Sequence, residues 1–235
     1  MKSLIRMAVI AAAVLLPASS AFAQDGFRAT IGLKAWAHTW NTWSTGSGGF
    51  VGQTETDSEV VLIPSVTFRF GNFFLSGDFW PEKEYDFLNA TYTKVKREEW
   101  SAVTGYYIVP QLAVALGWKR IHQDFTGGGV DFDVNIDVPM FGLQGGAPLG
   151  ESGNWFMYGN GFVGPISVKE KGAGSSSDQE GWYYSTELGL GYRMFQRLSA
   201  TVGYKYQTVR WDKINGENPG YDYTMGWIFG LSFTF

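Results

Sequence analysis

The sequence predicts an all-β chain that closes as a transmembrane, antiparallel, up-and-down β-barrel of about ten strands. Three observations carry that expectation. The last nine residues place Trp227, Phe229, Leu231, Phe233 and Phe235 at period two. Successive side chains of a strand point to opposite faces, so one face is continuously apolar while the other holds Ile228, Gly230, Ser232 and Thr234. An unpaired apolar strand edge templates aggregation, and closure removes the edge. Second, no segment has the roughly 20 consecutive apolar residues of a helical span, and only helices and closed barrels satisfy their backbone hydrogen bonds in lipid. Third, aromatic residues make up 17% of the chain and glycine contributes 31 residues. That composition suits interfacial aromatic girdles with small residues at crowded inward positions.

The N-terminal end reads as an export signal. Lys2 and Arg6 give a basic start, residues 7–16 form an unbroken apolar run, and Ala21, Phe22 and Ala23 make a small-x-small cleavage site. Cleavage is expected after Ala23, leaving residues 24–235 as one barrel domain of 212 residues. Loss of Lys2 and Arg6 takes the net charge from −4 to −6. Mild acidity argues against nucleic acid, which needs clustered Lys and Arg, and the densest basic cluster is Lys94, Lys96 and Arg97. The absence of cysteine excludes disulfides, a thiol nucleophile, thiolate metal sites and a lipoprotein anchor.

Ten strands follow from alternation. The first, over 27–38, sets Phe27, Ala29, Ile31, Leu33 and Ala35 against Arg28, Thr30, Gly32 and Lys34. The second, Glu59–Phe70, sets Val60, Leu62, Pro64, Val66, Phe68 and Phe70 against Ser65, Thr67 and Arg69, and Gly71 with Asn72 makes a tight turn. The third, over 73–82, opposes Phe73, Leu75 and Phe79 to Ser76 and Asp78. The fourth covers 95–108, residues 109–111 turn, and the fifth covers 112–122, with Leu112, Val114, Leu116 and Trp118 against Ala113, Ala115, Gly117 and Lys119. The sixth starts near Asp131 and alternates through Phe132, Val134, Ile136 and Val138 as its apolar face; its register fails over 139–147, where a bulge is expected. The seventh, over 154–165, is ambiguous because Trp155, Phe156, Met157 and Tyr158 offer apolar groups to both faces. The eighth sets Tyr184, Thr186, Leu188, Leu190, Tyr192 and Met194 against Ser185, Glu187, Gly189, Gly191 and Arg193. The ninth sets Leu198, Ala200, Val202, Tyr204 and Tyr206 against Ser199, Thr201, Gly203, Lys205 and Gln207. The tenth covers 223–235.

Connection lengths alternate. Gly71 with Asn72, 109–111, 148–153 and 195–197 are short; 39–58, 83–94, 123–130, 166–178 and 211–222 are mostly longer and polar. Membrane barrels of bacteria have short periplasmic turns and longer outer loops, which places both termini in the periplasm and requires an even strand count. Arg28, Lys34, Arg69, Asp78, Lys119, Asp133, Glu187, Arg193 and Lys205 all fall opposite the apolar face. Charges inside and apolar groups outside invert the soluble-barrel pattern. Barrels of about eight strands have interiors just wide enough for side chains, whereas 16 to 18 strands leave a channel, so these charges are expected to pair and bridge the walls. In the turn 195–197, Met194 falls opposite Leu198, which puts Glu187 across from Lys205, both inward.

The terminal Phe235, with apolar residues at alternate positions before it, resembles the C-terminal signature of bacterial outer-membrane β-barrel proteins, and the architecture resembles small barrels of the OmpA and OmpX class. That resemblance implies residence in the outer membrane of a Gram-negative bacterium, contact with its lipid and lipopolysaccharide, and recognition of the strand ending at Phe235 by the barrel assembly machinery. A monomer is expected.

Catalytic and ligand sites are not indicated. His38 and His122 are the two histidines, both at the outer ends of strands, where outer-membrane hydrolases keep their sites. Neither carries the His-x-Ser arrangement of lipid A deacylases and outer-membrane phospholipase. His122, Gln123 and Asp124 lie across a hairpin from Asp131 and Asp133, a loose likeness to omptin-like proteases, whose order is Asp-x-His and whose barrel is taller than this chain length allows. Interfacial polar roles fit both histidines. Asp131, Asp133, Asn135 and Asp137 sit at period two without the glycine-containing curved loop of an EF-hand, and a polar interior face accounts for them. Thr126 to Gly129 lacks the Lys and helix of a phosphate loop, and Gly189 with Gly191 lies mid-strand. Trp36, Trp40 and Trp43 fit an outer aromatic girdle continuing into the first loop. No catalytic residue, cofactor or metal is therefore assigned, and the expected role is structural, adhesive or interactive; a narrow porin-like channel is the alternative and a surface hydrolase the second. Deleting Phe235 is expected to reduce the heat-modifiable, folded band of the protein in outer-membrane fractions; undiminished assembly would detach the signature from its function.

Overall fold

Backbone groups facing hydrocarbon must be paired within the protein, and ten strands achieve this by closing on themselves. The computed structural model describes residues 26–44, 52–87, 94–126, 131–172, 175–211 and 220–235. The expected signal peptide and its cleavage site lie outside these residues. The strands are β1 (Phe27–Ser44), β2 (Gly52–Glu55), β3 (Glu59–Phe70), β4 (Phe73–Tyr85), β5 (Lys94–Val109), β6 (Leu112–Thr126), β7 (Phe132–Leu149), β8 (Trp155–Gly172), β9 (Ser175–Arg193), β10 (Leu198–Trp211) and β11 (Gly220–Thr234). β2 is a short extension paired with the far end of β1. The other ten pair antiparallel in chain order, and β11 returns to β1 from Thr30↔Thr234 to Ser44↔Gly220. The structure is therefore a closed ten-stranded barrel, with no helix among the described residues.

The second strand stands where alternation put it, and Gly71 takes the left-handed backbone (φ 55°) that its tight turn requires. The register of the β9–β10 hairpin also holds, with Glu187 opposite Lys205. Several segments expected to be loops are strand instead. β1 runs on to Ser44, β6 to Thr126 and β8 to Gly172, and β9 starts at Ser175. The expected bulge over 139–147 is absent. The β7–β8 ladder lapses around Pro139 and Pro165 and resumes at Phe141↔Val163 in the same register as Asp137↔Ser167. Both prolines lack the N–H that the ladder needs, so pairing fails without a slip. The register shifts lie elsewhere, between Trp80 and Lys83 against β5 and between Tyr107 and Val109 against β6.

The outer wall has two zones. From Leu112 to Trp118 the outward side chains of β6 are apolar, and the belt continues through Phe141 and Leu143 on β7, Leu188 and Leu190 on β9, and Trp227, Phe229 and Leu231 on β11, all exposed. A row of cross-strand neighbours bounds it: Trp118 beside Pro139, and Pro165 beside Trp182. Beyond this row β6 presents Arg120, His122 and Asp124, and β7 presents Asp137, Asn135 and Asp133. Arg120 there donates to Asp137 at 2.7 and 3.1 Å. At the same height the inner face turns apolar, with Ile121, Ile136, Val138, Ile166, Val168 and Val209 buried in one cluster.

This corrects the reading of the sixth strand. Phe132, Val134, Ile136 and Val138 point inward, and Asp133, Asn135 and Asp137 point outward. The phase of β7 does not change; the surroundings of the outer wall change from hydrocarbon to water. The polar segments thus form a projecting collar of sheet rather than free loops. Charged substitutions on the lipid face cost about 2–4 kcal/mol at mid-depth and about 0–1 kcal/mol near the interface. Val114→Arg should therefore destabilise the barrel by that larger amount and His122→Arg by the smaller. Equal costs in denaturant unfolding from lipid vesicles would misplace the boundary at Trp118.

Candidate functional site

The inner wall is layered along the barrel axis by the period-two side chains of each strand. At the turn end Phe74 and Tyr107 form an edge-to-face pair with centroids 5.7 Å apart, and the Arg69 guanidinium lies 4.2 Å from the Tyr107 ring centre. On the opposite wall Arg193 lies 5.7 Å from the Phe156 ring centre. The Phe156 ring fits because β9 has no side chain at Gly191, where a Cβ would fall 2.1 Å from it. Above this floor lies a polar chamber of about 200 Å³, whose charged lining is Lys34, Asp78, Lys119, Glu187 and Lys205. Asp78 accepts a hydrogen bond from Ser101 at 2.7 Å, and Lys34 pairs with Glu187 at 3.6 Å. Lys205 shares the inward row with Glu187, yet its ammonium stands 4.6 Å over the Trp36 ring. The cross-strand position was legible; the partner was not, because Lys34 reaches Glu187 from a strand far away in sequence.

A lid of charges closes the chamber. Glu99, 1% exposed, accepts from Arg97 at 2.6 and 2.8 Å and from Gln207 at 2.9 Å, and pairs with Lys119 at 2.5 Å. Arg97 also donates to Thr224 at 3.3 Å, and Gln123 donates to Asp222 at 3.2 Å. The Arg97 guanidinium lies 4.5 Å from the Trp40 ring centre and 5.2 Å from that of Trp80, a cation–π arrangement worth more in a desolvated setting than at a surface. This lid spans β5, β6, β10 and β11, and every member is buried. Above it Trp36, Trp40, Trp80, Tyr85, Phe87 and Val95 fill the bore as a second apolar cluster.

The aromatic residues expected on an outer girdle belong here. Trp36 and Trp40 are 0% and 1% exposed and point inward, on the same strand phase as Lys34; the side chain of Trp43 lies outside the described residues. His38 is likewise buried rather than interfacial: its Nε2 stands 3.0 Å from the Tyr85 hydroxyl, its Nδ1 3.0 Å from the Trp36 carbonyl, and its ring 5.0 Å from that of Trp80. His122 is on the outer wall beyond Trp118, 2.9 Å from Asp124 and 3.0 Å from Asn135. The two histidines therefore lie on opposite faces of the wall. Among the interior charges expected from sequence, Asp133 is the one placed on the outside. Arg97 and Glu99 were not among them. Their signal was present as Val95, Arg97, Glu99 and Ser101 at period two, but no apolar opposite face marks it, because Lys94, Lys96 and Glu98 line the collar.

One stretch of wall is incompletely laddered. β3 pairs with β4 only from Ser65↔Asp78 to Phe70↔Phe73. Beyond Pro64 the two strands are linked by the Lys83–Glu59 ion pair at 2.8 Å and the isolated bridge Thr56↔Phe87.

Comparison with solved structures finds the same architecture. The outer-membrane protease OmpT from Escherichia coli superposes with a TM-score of 0.62 at 12% identity, over 91% of this chain and 98% of that one. The translocator domain of the autotransporter NalP from Neisseria meningitidis gives 0.51 at 11% identity, over 99% and 97%. The fold is that of the outer-membrane β-barrels. No protein-family model matches the sequence, and no curated protein matches it, so the likeness is one of fold. It corrects one expectation: this chain does build a tall barrel, with strands of up to 19 residues, because its polar segments are sheet.

Two outcomes test the interior of this barrel. Removing the carboxylate in Glu99→Ala leaves two buried cations without their counter-charge, and should cost about 3–5 kcal/mol in unfolding free energy. Loss within the error of the measurement would mean the lid is hydrated. Separately, Glu187→Lys should destabilise, and Lys34→Glu should restore more of that loss than Lys205→Glu does; the reverse ranking in unfolding midpoints would overturn the Lys34–Glu187 pairing.

Proposed function

We propose that the protein resides in the bacterial outer membrane with both termini periplasmic, and that it works from its projecting collar as a surface barrel for envelope structure, adhesion or interaction. The observation that carries this reading is the filled bore. The charged lid around Glu99 and the aromatic packing above it leave the wall exterior and the collar as the surfaces available for a partner. The collar also separates opposite charges from the bilayer, with Lys94–Glu84, Lys96–Glu82 and Arg120–Asp137 ion pairs on its outer face. Short turns at the end that holds both termini support the orientation. On this reading the signal peptide is removed after Ala23, the belt contacts outer-membrane lipid and lipopolysaccharide, and the assembly machinery reads the strand ending at Phe235. A hydrolase is disfavoured by geometry: the His122–Asp124 pair faces outward from the wall, and His38 is enclosed by Trp36, Trp80 and Tyr85.

Two measurements test the proposal. Purified protein in planar bilayers should give no steady conductance; a steady, ion-selective current would establish the narrow channel instead. In intact cells, a membrane-impermeant thiol reagent should label Asp124→Cys on the collar and leave Ser152→Cys in the β7–β8 turn untouched. Labelling only at Ser152→Cys would invert the orientation.

A further inference from the structure

A barrel exterior is convex, yet this one carries a hollow of about 1330 Å³ on its wall between β4 and β10. Register explains it. Phe73, Tyr106, Val114, Leu143, Gly161, Thr186 and Tyr206 form one outward row across seven strands, each the cross-strand neighbour of the next. Large side chains stand at the two ends and the smallest lies between them. One step toward the turn end, the row through Leu112 and Leu188 has Gly145 and Gly159 side by side between them. Three outward glycines thus stand at adjacent belt positions; Leu188 leans over Gly159, where a Cβ would fall 2.6 Å from its Cδ2, and the open floor is at Gly161. Elsewhere along β8 the outward series is Trp155, Met157, Val163 and Pro165, so Gly159 and Gly161 fall in its middle. A Cβ on Gly161 would meet nothing nearer than a carbonyl oxygen at 3.8 Å; the space outside that position is open.

We propose that this hollow is a binding site for one acyl chain of a phospholipid drawn from the leaflet on the terminus side. The site is continuous with the apolar belt, below the row of Trp118 and Trp182, so its occupant is a hydrocarbon. Its lining runs from Phe73 and Leu112, the first residues of their strands after the short turns, to Leu116, Phe141, Val163 and Tyr184, one outward step short of the row of Trp118 and Trp182; it therefore opens at the turn-side interface, and a chain enters from the leaflet nearest those turns. A second copy of the chain does not fit, because a two-fold contact joins a patch to itself and would set hollow against hollow. Glycine floors let apolar partners approach the backbone closely in membranes, and a flexible chain fills an irregular groove. The leaflet assignment rests on the proposed orientation; the lipid contact itself does not.

The experiment is native mass spectrometry of the folded protein in detergent with dimyristoyl phosphatidylethanolamine added. The unmodified barrel should retain one lipid per chain under activation that strips the rest. Gly161→Phe, which fills the floor, should reduce the retained fraction at least tenfold, while Leu33→Phe on the opposite wall should leave it unchanged. No retained lipid, equal retention in Gly161→Phe, or a dimer in place of the adduct overturns the proposal. Preferential retention of lipid A over the phospholipid overturns the leaflet. A phospholipid with a photoreactive acyl terminus, applied to the unmodified protein, keeps the test independent of folding of the variant. Crosslinks should concentrate on the β7–β9 peptides; uniform labelling around the belt overturns the site. Either failure leaves the conductance and surface-labelling results unaffected.

Discussion

Closure of the sheet between β1 and β11 is the constraint on which everything else depends. Fifteen consecutive cross-strand pairs join these strands, so the ring closes, and outside the β3–β4 stretch beyond Pro64 no edge is left for hydrocarbon or for another chain to meet. Once the ring is closed, each strand has one inward and one outward phase, reset in β4 where the register shift between Trp80 and Lys83 brings Tyr85 to the same face as Trp80. A residue's number then decides its surroundings before its chemistry does: Lys34, Trp36 and His38 share the bore because they share a parity, although one is a charge, one an apolar ring and one an imidazole.

Given that geometry, the chain has to satisfy three environments with two phases. Outward positions meet hydrocarbon from the short turns to the Trp118 and Trp182 row, and water beyond it. Inward positions meet each other throughout. The sequence accommodates this by exchanging polarity between the phases at that row. Below it the outside is apolar and the bore holds Lys34, Asp78, Glu187 and Lys205; above it the outside carries Arg120, His122 and Asp137, and the bore holds Ile121, Ile136 and Val138 beside the lid of Arg97 and Glu99. The collar is thus a small water-facing barrel built on a membrane barrel by the same strands, with the ladder interrupted at Pro139 and Pro165 and between β3 and β4 beyond Pro64. Its core, apolar clusters packed around the paired charges of the lid, is what allows the strands to continue past the bilayer.

The same exchange explains what was legible in the sequence. Below the row, alternation marks both phase and face, and the strands from Glu59 to Phe70, from Tyr184 to Arg193 and from Trp227 onward read correctly, including the register that opposes Glu187 to Lys205. Above it alternation still marks phase, but polarity names the wrong face and points Asp133, Asn135 and Asp137 inward. Gly- and Ser-rich composition hid the collar strands for a related reason: water-facing sheet positions accept the residues that loops accept. Trp36 and Trp40 read as girdle because tryptophan favours interfaces, and only their parity with Lys34 places them inside. The lid around Glu99 was not legible at all, since it joins residues from four strands.

That lid also bears on why charges persist in a bore that could have been apolar throughout. Buried ion pairs are weak sources of net stability, and well-packed hydrophobic groups of similar volume often replace them at no cost. Their directional demands are the difference. Glu99 accepts from Arg97, pairs with Lys119 and binds Gln207 only if β5, β6 and β10 hold one register, because a slip of one residue would send any of these groups to the opposite face. For the chamber charges below the tryptophan row, Lys34, Asp78, Glu187 and Lys205, such a slip would also drive a charge into hydrocarbon, at a cost of about 2–4 kcal/mol for Arg or Lys near mid-depth. Apolar packing offers no comparable penalty, since belt and bore both accept leucine. The charges inside therefore specify the pairing that closure requires, and the glycines and aromatic rings fill the space that remains.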